Sequence, residues 1–437
     1  MWWYLLILLI IVLFYYWEAI KIQLLVFIIV KRGLITIDCF WWKVSDLFVE
    51  DTSGINLYYK LRKRHNQKMV PIYLGGNKTY LVTNLDNVRA ILDASPAIFG
   101  VGRLKYNMFQ SFMEKNVGVS EGCPWRLRRK INEQTLFSDK LHPYHSLYAQ
   151  YISENFDEKL PTNFNEFSLA GKKIATRIIF NDNTIPLDIY NIFTKANTIF
   201  SIYGNGITLP HKFHKKYDNI LKEQLRNPKE NSLVSLAVNA KITGLGDICA
   251  KSVSYLDYEE ELSQQIPHWM FPISGNIAAI VPKVLMLLCN HPEKLKRAKY
   301  DKGYLRNCIL ETLRLNNPVV TTLRGLLTDF TFPSGEFFRK GSQFLILNNP
   351  VLRTPEFFEH PNQFYPERWT KEMENNYHAI MFNQGPQKCP GKELAILIIG
   401  LTVSEYLNRV NYLSCQKLNT NKIKQMIDPC SIRFRYS

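Results

Sequence analysis

Hydrophobic residues are most concentrated at the start of the chain. Residues 1–17 contain no charged side chain, and after Glu18 and Lys21 a second apolar stretch, residues 24–30, ends at Lys31. A transmembrane helix needs about 17–25 mostly apolar residues, and Trp and Tyr at both ends of the first stretch suit the two interfaces of a bilayer. We expect residues 1–30 to form an N-terminal transmembrane helix that anchors one domain, residues 31–437; a buried core helix is the alternative.

The remaining pattern predicts many helices and few strands. Residues 70–74 and 79–83 are rich in β-branched and aromatic residues and flank a Gly-Gly-Asn turn, which predicts a hairpin. Residues 262–290 and 391–410 are long enough and apolar enough for core helices. The first of these two segments contains Pro267, Pro272 and Pro282. Because an interior proline removes a helical hydrogen bond, we expect that helix to be broken or bent. The predicted fold class is mainly α with a minor β portion.

Composition and charge narrow the class of protein. The 437 residues are 46% hydrophobic and carry 54 Lys and Arg against 38 Asp and Glu, a net charge of +16. A chain this apolar is not disordered. Lys31, Arg32 and the basic cluster at 62–64 follow the anchor, so the positive-inside rule puts the main domain on the cytoplasmic side. We interpret the basic surface as a site for anionic lipids or an acidic protein rather than for nucleic acid.

The eight cysteines include no C-x-x-C pair, and thiols on the cytoplasmic side are normally reduced, so we expect no disulfide framework. One cysteine has an unusual setting. Cys389 lies in a Gly- and Pro-rich loop, FNQGPQKCPGKELA, just before a predicted helix, and is flanked by Lys388 and Lys392. A helix N-terminus and nearby cations favour a thiolate, which acts as a nucleophile or a metal ligand. Gly385 and Gly391 permit unusual backbone angles and the close approach of a flat ligand.

The loop resembles the haem-binding loop of the cytochrome P450 family, F-x-x-G-x-x-x-C-x-G. Three further segments are similar to family motifs in the family's order: W-x-x-x-R at 125–129, E-x-x-R at 311–314 and P-E-R-W at 366–369. The resemblance covers most of the chain from about residue 69 to 434. It implies the cytochrome P450 fold, preceded by the N-terminal transmembrane helix of the family's microsomal members.

The resemblance assigns roles to individual residues. Cys389 is the axial ligand of a haem b iron, and the other expected cofactor-binding residues are Trp125, Arg129, Arg324, Phe382, Gly385 and Gly391. Trp125, Arg129 and Arg324 are expected to bind the anionic haem propionates. Glu311, Arg314 and Arg368 are expected to form a buried structural triad. The substrate pocket is expected in the loops 98–122 and 190–220.

The resemblance also implies an activity and partners. We expect a membrane-bound haem-thiolate monooxygenase that takes electrons from a flavoprotein reductase and acts on a small lipophilic substrate such as a sterol or fatty acid. No bound NAD(P) or flavin is expected on this chain. Four basic residues around the thiolate are candidates for the docking face of an acidic electron donor: Lys388, Lys392, Arg126 and Lys130.

Two departures from the family pattern leave alternatives open. Gln387 replaces an Arg that commonly contacts a propionate. The acid and Thr that usually deliver protons on the central helix correspond here to Gly275 and Asn276, beside Ser274. These three residues form the expected oxygen-activation groove. A hydroperoxide isomerase or dehydratase that needs no reductase, and a non-catalytic haem-binding protein, are therefore the alternative functions. H-x-x-H spacings at 142–145 and 211–214 are interpreted as surface histidines.

Overall fold

The structure is a computed structural model that describes residues 53–74, 77–191, 211–424 and 426–437, with isolated positions between 3 and 17. The predicted anchor, residues 1–30, therefore lies outside the described residues apart from those positions. Trp3, Tyr4 and Trp17 among them are helical and exposed. Within the described chain one helical stretch, Tyr258–Cys289, has the length and apolar composition to span a membrane, but its most apolar window is 72% buried inside the protein.

Helices are the main regular structure of the described chain, as the sequence predicts. In chain order they are α1 (Ser53–Arg64), α2 (Leu85–Asp93), α3 (Arg103–Met113), α4 (Gly122–Thr135), α5 (His145–Asn155), α6 (Phe164–Phe180), α7 (His211–Arg226), α8 (Leu233–Val238), α9 (Asp247–Val253), α10 (Tyr258–Ser263), α11 (Ile266–Gly275), α12 (Val281–Cys289), α13 (Pro292–Tyr300), α14 (Lys302–Leu315), α15 (Asn348–Val351), α16 (Lys371–Glu374) and α17 (Lys392–Asn408).

The strands form one larger sheet and two short pairs. They are β1 (Val70–Leu74), β2 (Asn77–Leu81), β3 (Phe99–Val101), β4 (Thr321–Leu326), β5 (Phe330–Thr331), β6 (Phe337–Phe338), β7 (Gln343–Leu347), β8 (Leu413–Ser414) and β9 (Arg435–Tyr436). The larger sheet has the order β1-β2-β7-β4-β3, and only the β2–β7 pair is parallel within it. The predicted hairpin is present, with β2 starting two residues earlier than expected. The mainly α fold with a minor β portion is confirmed.

The central helix is interrupted, as its prolines predict. Between α11 and α12 lies a π-helical turn, Asn276–Ile280, in which the Val281 N–H donates to the Asn276 carbonyl five residues earlier. Pro282 has no N–H to donate, so the regular α-helical bonding cannot continue across this point. Single π turns inside α-helices are often found at functional sites.

The core forms around this central helix. Ile277, Ile280 and Val284 are fully buried, and α6, α14 and α17 pack around the segment. Gly171 of α6 lies so close that an added Cβ atom would be 2.6 Å from the Ser274 carbonyl oxygen. The absent side chain therefore lets α6 and α11 approach each other, which positions the turn at residues 274–276.

Candidate functional site

The Cys389 loop is held in place by backbone hydrogen bonds. The Cys389 N–H donates to the Phe382 carbonyl at 2.8 Å, which closes the loop ahead of α17. Ser138, just beyond α4, donates from Oγ to the Pro390 carbonyl at 2.6 Å. The side chain of Arg129 donates to the Lys388 carbonyl. Helix α4 and the segment after it thus fix the loop on both sides of the cysteine.

The structure requires glycine at one of the two loop positions, Gly385, but not at the other, Gly391. Gly385 has φ +70°, and a Cβ there would lie 2.5 Å from the Leu92 carbonyl oxygen, so both backbone angle and space require glycine. Gly391 has φ −98°, and a Cβ there would make an ordinary 3.5 Å contact with Leu136. The expectation of an unusual backbone angle is therefore right for Gly385 and wrong for Gly391. Gly385 makes room for the protein's own backbone at the end of α2.

Cys389 combines an accessible side chain with densely packed surroundings. Its surface is accessible, although the surrounding protein is dense enough that burial raises the pKa of its thiol. We infer from these two observations that the side chain opens into space inside the molecule. The Gly391 N–H, Arg129 and Lys392 each lower the pKa but do not offset burial. Desolvation, which disfavours the charged form, therefore outweighs in this structure the cations and the helix N-terminus that favour a thiolate.

Arg128, beside Arg129 on α4, is a residue that the sequence analysis missed. It is buried and pairs with the equally buried Glu261 of α10, while its Nη1 donates to Ser120 Oγ at 2.6 Å. Arg129 forms an ion pair with Glu133 at 2.7 Å. Trp125 is half-buried, and its indole N–H makes no hydrogen bond to a described residue. The basic helix is thus partly a buried structural element, and of its basic residues Arg126 alone is exposed.

Glu311, Arg314 and Arg368 meet in the interior. Arg314 donates from Nη2 to Glu311 Oε1 at 2.8 Å and from Nε to Oε2 at 2.9 Å. Arg368 Nε lies 3.3 Å from the same Oε1 atom, and the indole N–H of Trp369 donates to Oε2 at 3.0 Å. All these donors converge on one buried carboxylate, so the P-E-R-W segment is joined to α14.

Arg324 is a buried cation without an acidic partner among the described residues. It lies on β4 opposite Val101, and its guanidinium donates to Ser95 Oγ at 3.2 Å and to the Leu323 carbonyl at 2.9 Å. Burial lowers its pKa to about 10. A buried charge of this kind is stabilised when an anionic group binds it. Two residues earlier, Thr322 contacts Asn383 at 3.3 Å, which links this strand to the Cys389 loop.

Ser274, Gly275 and Asn276 lie where α11 passes into the π turn. The Ser274 hydroxyl donates to the Met270 carbonyl at 2.7 Å, so its proton is used within the helix. A Cβ atom at Gly275 would meet no atom within 4 Å. The central helix is otherwise largely buried, so at Gly275 it presents bare backbone to open space. The described part of this helix, residues 266–289, contains no acidic side chain.

Two further expectations about cysteine and histidine are wrong. Cys123 at the start of α4 is disulfide-bonded to Cys249 of α9, and Cys430 is also disulfide-bonded. The pairing could not be seen in the sequence because the two residues are 126 positions apart. His142 is buried, not on the surface, and lies 3.4 Å from the Thr135 carbonyl. Within the described ranges, no cluster of three or more His, Cys, Asp or Glu side chains could hold a metal ion.

The expected docking cations are not all free. Lys388 is exposed and pairs with Asp139 at 2.8 Å, and Lys130 lies 3.4 Å from Glu133. Lys392 is mostly buried and pairs with Glu374 at 2.9 Å. Arg126 is exposed. Basic residues therefore surround Cys389, but acidic partners neutralise part of their positive charge.

The residues present fit a haem bound through Cys389. The thiol faces an interior cavity, Gly275 leaves open space beside the central helix, and the buried Arg324 lacks the carboxylate that a propionate would supply. A cysteine thiolate is a known haem iron ligand.

Comparisons with known proteins agree with this geometry. The family profile described as Cytochrome P450 matches residues 302–427. The chain is similar to Cytochrome P450 4A2 of Rattus norvegicus, with 25% identity over 67% of this chain and 69% of the relative. It is similar to Lithocholate 6-beta-hydroxylase of Mesocricetus auratus, with 22% identity over 70% and 71% of the two chains. The solved structure titled "Retinoic acid bound cyanobacterial CYP120A1" superposes with a TM-score of 0.68 at 17% identity, covering 87% of this chain and 94% of that one.

Proposed function

The chain belongs to the cytochrome P450 family, and from this premise we propose that it is a membrane-anchored haem-thiolate monooxygenase, which inserts one oxygen atom of O2 into a small lipophilic substrate. It is an oxidoreductase of the cytochrome P450 type. The observation that carries the specific proposal is Cys389, whose thiol faces an interior cavity from a loop fixed at Phe382, Lys388 and Pro390.

Cys389 is the residue that would ligate the haem iron. A haem held by a cysteine thiolate would supply the O2 chemistry. The chain stabilises negative charge on the sulfur through the Gly391 N–H and through the positive charges of Arg129 and Lys392. These three groups offset part of the desolvation that the buried sulfur experiences.

Arg324, Arg129 and Trp125 are the proposed partners of the propionates. Arg324 is the best supported of the three, because it is buried with no acidic partner among the described residues. Arg129 already binds Glu133 and the Lys388 carbonyl, so its main role in this proposal is to hold the Cys389 loop. Gln387 supplies no charge where the family commonly has an Arg.

Proton delivery is the proposed role of the groove at residues 274–276. Ser274 is bonded to the Met270 carbonyl, whereas Asn276 is half-buried next to the open space at Gly275. We assign Asn276 the role of holding an ordered water molecule there, because its amide can both donate and accept hydrogen bonds.

The proposed partners are a bilayer and an acidic flavoprotein reductase. Membrane association is supported by the apolar residues 1–30. Arg126, Lys130 and Lys388 are the accessible cations of the face behind Cys389, and they would attract an acidic donor. Lipophilic substrates are supported by the names of two matched proteins, which refer to lithocholate and to retinoic acid.

Replacing the ligand tests the proposal. Reduced wild-type protein with carbon monoxide is expected to give the thiolate-type absorption shift, and Cys389→Ala is expected to lose it. Cys289→Ala, which removes a half-exposed thiol elsewhere, is the matched control and should keep the shift. An unchanged spectrum in Cys389→Ala would refute the ligand assignment.

One observation favours a second function, the rearrangement or dehydration of a hydroperoxide without a reductase. The central helix contains no acid, and its hydroxyl at Ser274 is bonded to the backbone. Such a reaction needs neither external electrons nor timed proton delivery to O2. Turnover of a lipid hydroperoxide in the absence of NADPH and reductase would support it, and strict dependence on NADPH would exclude it.

A further inference from the structure

Two free thiols, those of Cys289 and Cys415, meet at the C-terminal end of the central helix. Cys289 is the last residue of α12, and Cys415 directly follows β8. The Cys289 thiol donates to the Leu413 carbonyl at 3.3 Å, and the Cys415 sulfur lies 3.9 Å from the Met286 carbonyl oxygen. Each sulfur thus contacts a carbonyl of the segment that carries the other cysteine, and the two side chains form a hydrogen bond with each other.

Asn290 holds Cys415 beside the helix end. Its side-chain N–H group donates to the Cys415 sulfur at 3.5 Å and to the Gln416 carbonyl at 3.2 Å. Its side-chain oxygen accepts a hydrogen bond from the Leu418 N–H at 2.8 Å. The segment after β8 is therefore tied to α12 by backbone groups on both sides of the cysteine. Its position is fixed by these bonds and not by the thiol alone.

The two thiols differ in acidity. A hydrogen bond with Cys415 lowers the pKa of Cys289 to about 7, against the effect of burial. The same interaction raises the pKa of Cys415, and burial acts in the same direction. Tyr406, whose charge would interact with Cys289, stays neutral because burial raises the pKa of its hydroxyl. Since the thiolate is the nucleophile in thiol–disulfide exchange, Cys289 is the cysteine that attacks first.

Both side chains are accessible to a dissolved reagent. Cys289 and Cys415 are half-exposed, whereas Cys308, one of the other free cysteines, is fully buried. Reaction of a thiol depends on its thiolate fraction and on access. The pair meets both conditions at Cys289, and Cys308 meets neither, because burial also raises the pKa of its thiol.

We propose that Cys289 and Cys415 form a redox-active dithiol, which a low-molecular-weight disulfide such as glutathione disulfide oxidises to an intramolecular disulfide. The sulfur of Cys289 attacks one sulfur of the reagent, forms a mixed disulfide and releases one thiol. Cys415 then attacks the Cys289 sulfur, which forms the bond between the two cysteines and releases the second thiol. The cysteines lose two electrons, the reagent gains them, and the two thiol protons pass to the released thiols.

The new bond joins the end of the central helix covalently to the segment after β8. The inference goes beyond the monooxygenase proposal and does not depend on it, because the reaction involves neither the haem nor a substrate.

Peptide mapping of the full-length haem-loaded protein tests the proposal. The native protein is incubated with glutathione disulfide, free thiols are blocked with iodoacetamide under denaturing conditions, and unreduced peptides are analysed by mass spectrometry. In the wild type we expect at least half of the molecules to carry a cross-link between Cys289 and Cys415. Cys415→Ser should stop at a glutathione adduct on Cys289. In Cys289→Ser, adduct formation on Cys415 should be at least tenfold lower. Cys308 is the internal control and should stay unmodified.

Adducts on both cysteines of the wild type without a cross-link would overturn the proposal, because they would show that the two sulfurs do not meet. Absence of any reaction at the pair, or equal reaction of Cys308, would overturn it as well. The wild-type result alone decides whether the bond forms, so the test does not depend on the folding of the serine variants. Failure of the monooxygenase proposal would appear separately, as a missing spectral shift in a protein that still forms the cross-link.

Discussion

Arg128 and Glu261 form a bidentate ion pair in the interior, with Nε 2.5 Å from Oε2 and Nη2 2.9 Å from Oε1. The pair joins α4, which fixes the Cys389 loop through Arg129, to α10 at the entrance of the central helix. The two residues are 133 positions apart in the sequence. Around them Asn132 donates to Gln265, and the Trp269 indole donates to Asn132 at 2.8 Å. The site is therefore supported by a buried polar network.

Breaking this pair should destabilise the fold strongly. Glu261→Gln leaves the Arg128 charge buried without its partner, so we expect the free energy of unfolding to fall by about 3–5 kcal/mol. Urea denaturation followed by circular dichroism measures it. Glu260→Gln is the matched control, since this neighbouring carboxylate is half-exposed and should cost less than about 1 kcal/mol. Equal effects of the two variants would contradict the argument.

Replacing glycine by alanine should change the stability of the protein in opposite directions at Gly275 and at Gly171, which lie on two neighbouring helices. Gly275→Ala adds a methyl group to open space, so helix propensity should raise stability by about 0.5–1 kcal/mol. Gly171→Ala places its Cβ atom 2.6 Å from the Ser274 carbonyl oxygen and should destabilise by about 1–3 kcal/mol. Thermal unfolding measures the stability of both variants. If both were stabilised or both destabilised, the description of the space around Gly275 or around Gly171 would be wrong.

His142 should make stability depend on pH. Burial lowers its pKa to about 4, below the unfolded value of about 6.5. The folded state therefore binds fewer protons than the unfolded state, and the contribution of His142 is complete above about pH 6.5 and falls as the pH drops toward 4. The free energy of unfolding of the wild type should decrease between pH 7 and pH 5. In His142→Gln this decrease should be smaller by about 1–2 kcal/mol. His360 is exposed, and the control variant His360→Gln should show the same decrease in the free energy of unfolding as the wild type.

The disulfide between Cys123 and Cys249 should stabilise the oxidised protein. It closes a loop of 126 residues, and cross-links of this kind contribute typically about 2–4 kcal/mol by restricting the unfolded chain. Under oxidising conditions Cys249→Ser should unfold at correspondingly lower urea concentration than wild type. With a thiol reductant the difference should largely vanish. A difference that persists in reductant would mean that packing, rather than the covalent bond, is responsible.

Much of the architecture could be predicted because the signals are local. The spacing from Phe382 to Gly391 specifies the Cys389 loop, and the three-residue spacing of Glu311 and Arg314 puts them on one helix face. Prolines in the central segment predict its interruption, which the π turn at Asn276–Ile280 accounts for. The helical periodicity of apolar residues predicts the presence and approximate bounds of helices such as α14 and α17.

The remaining features depend on contacts that no local pattern encodes. The charge of Arg128 looks like part of a solvated helix face until α10 brings Glu261 to it. The pairing of Cys123 with Cys249 and the burial of His142 also follow from how distant helices pack. Desolvation, which sets the pKa of Cys389, is a property of the surrounding volume and not of neighbouring residues in the chain.

The sequence by itself indicated the resemblance to the family, predicted the role of Cys389 and predicted the mainly helical fold, because short-range spacing and periodicity carry that information. Tertiary structure decided which cations are neutralised and which are left facing the cavity. Lys392 is paired with Glu374, whereas Arg324, Lys105 and His268 have no described acid beside them. The physical reason is that the energy of a charge depends on the partners and the solvent that the folded chain brings around it.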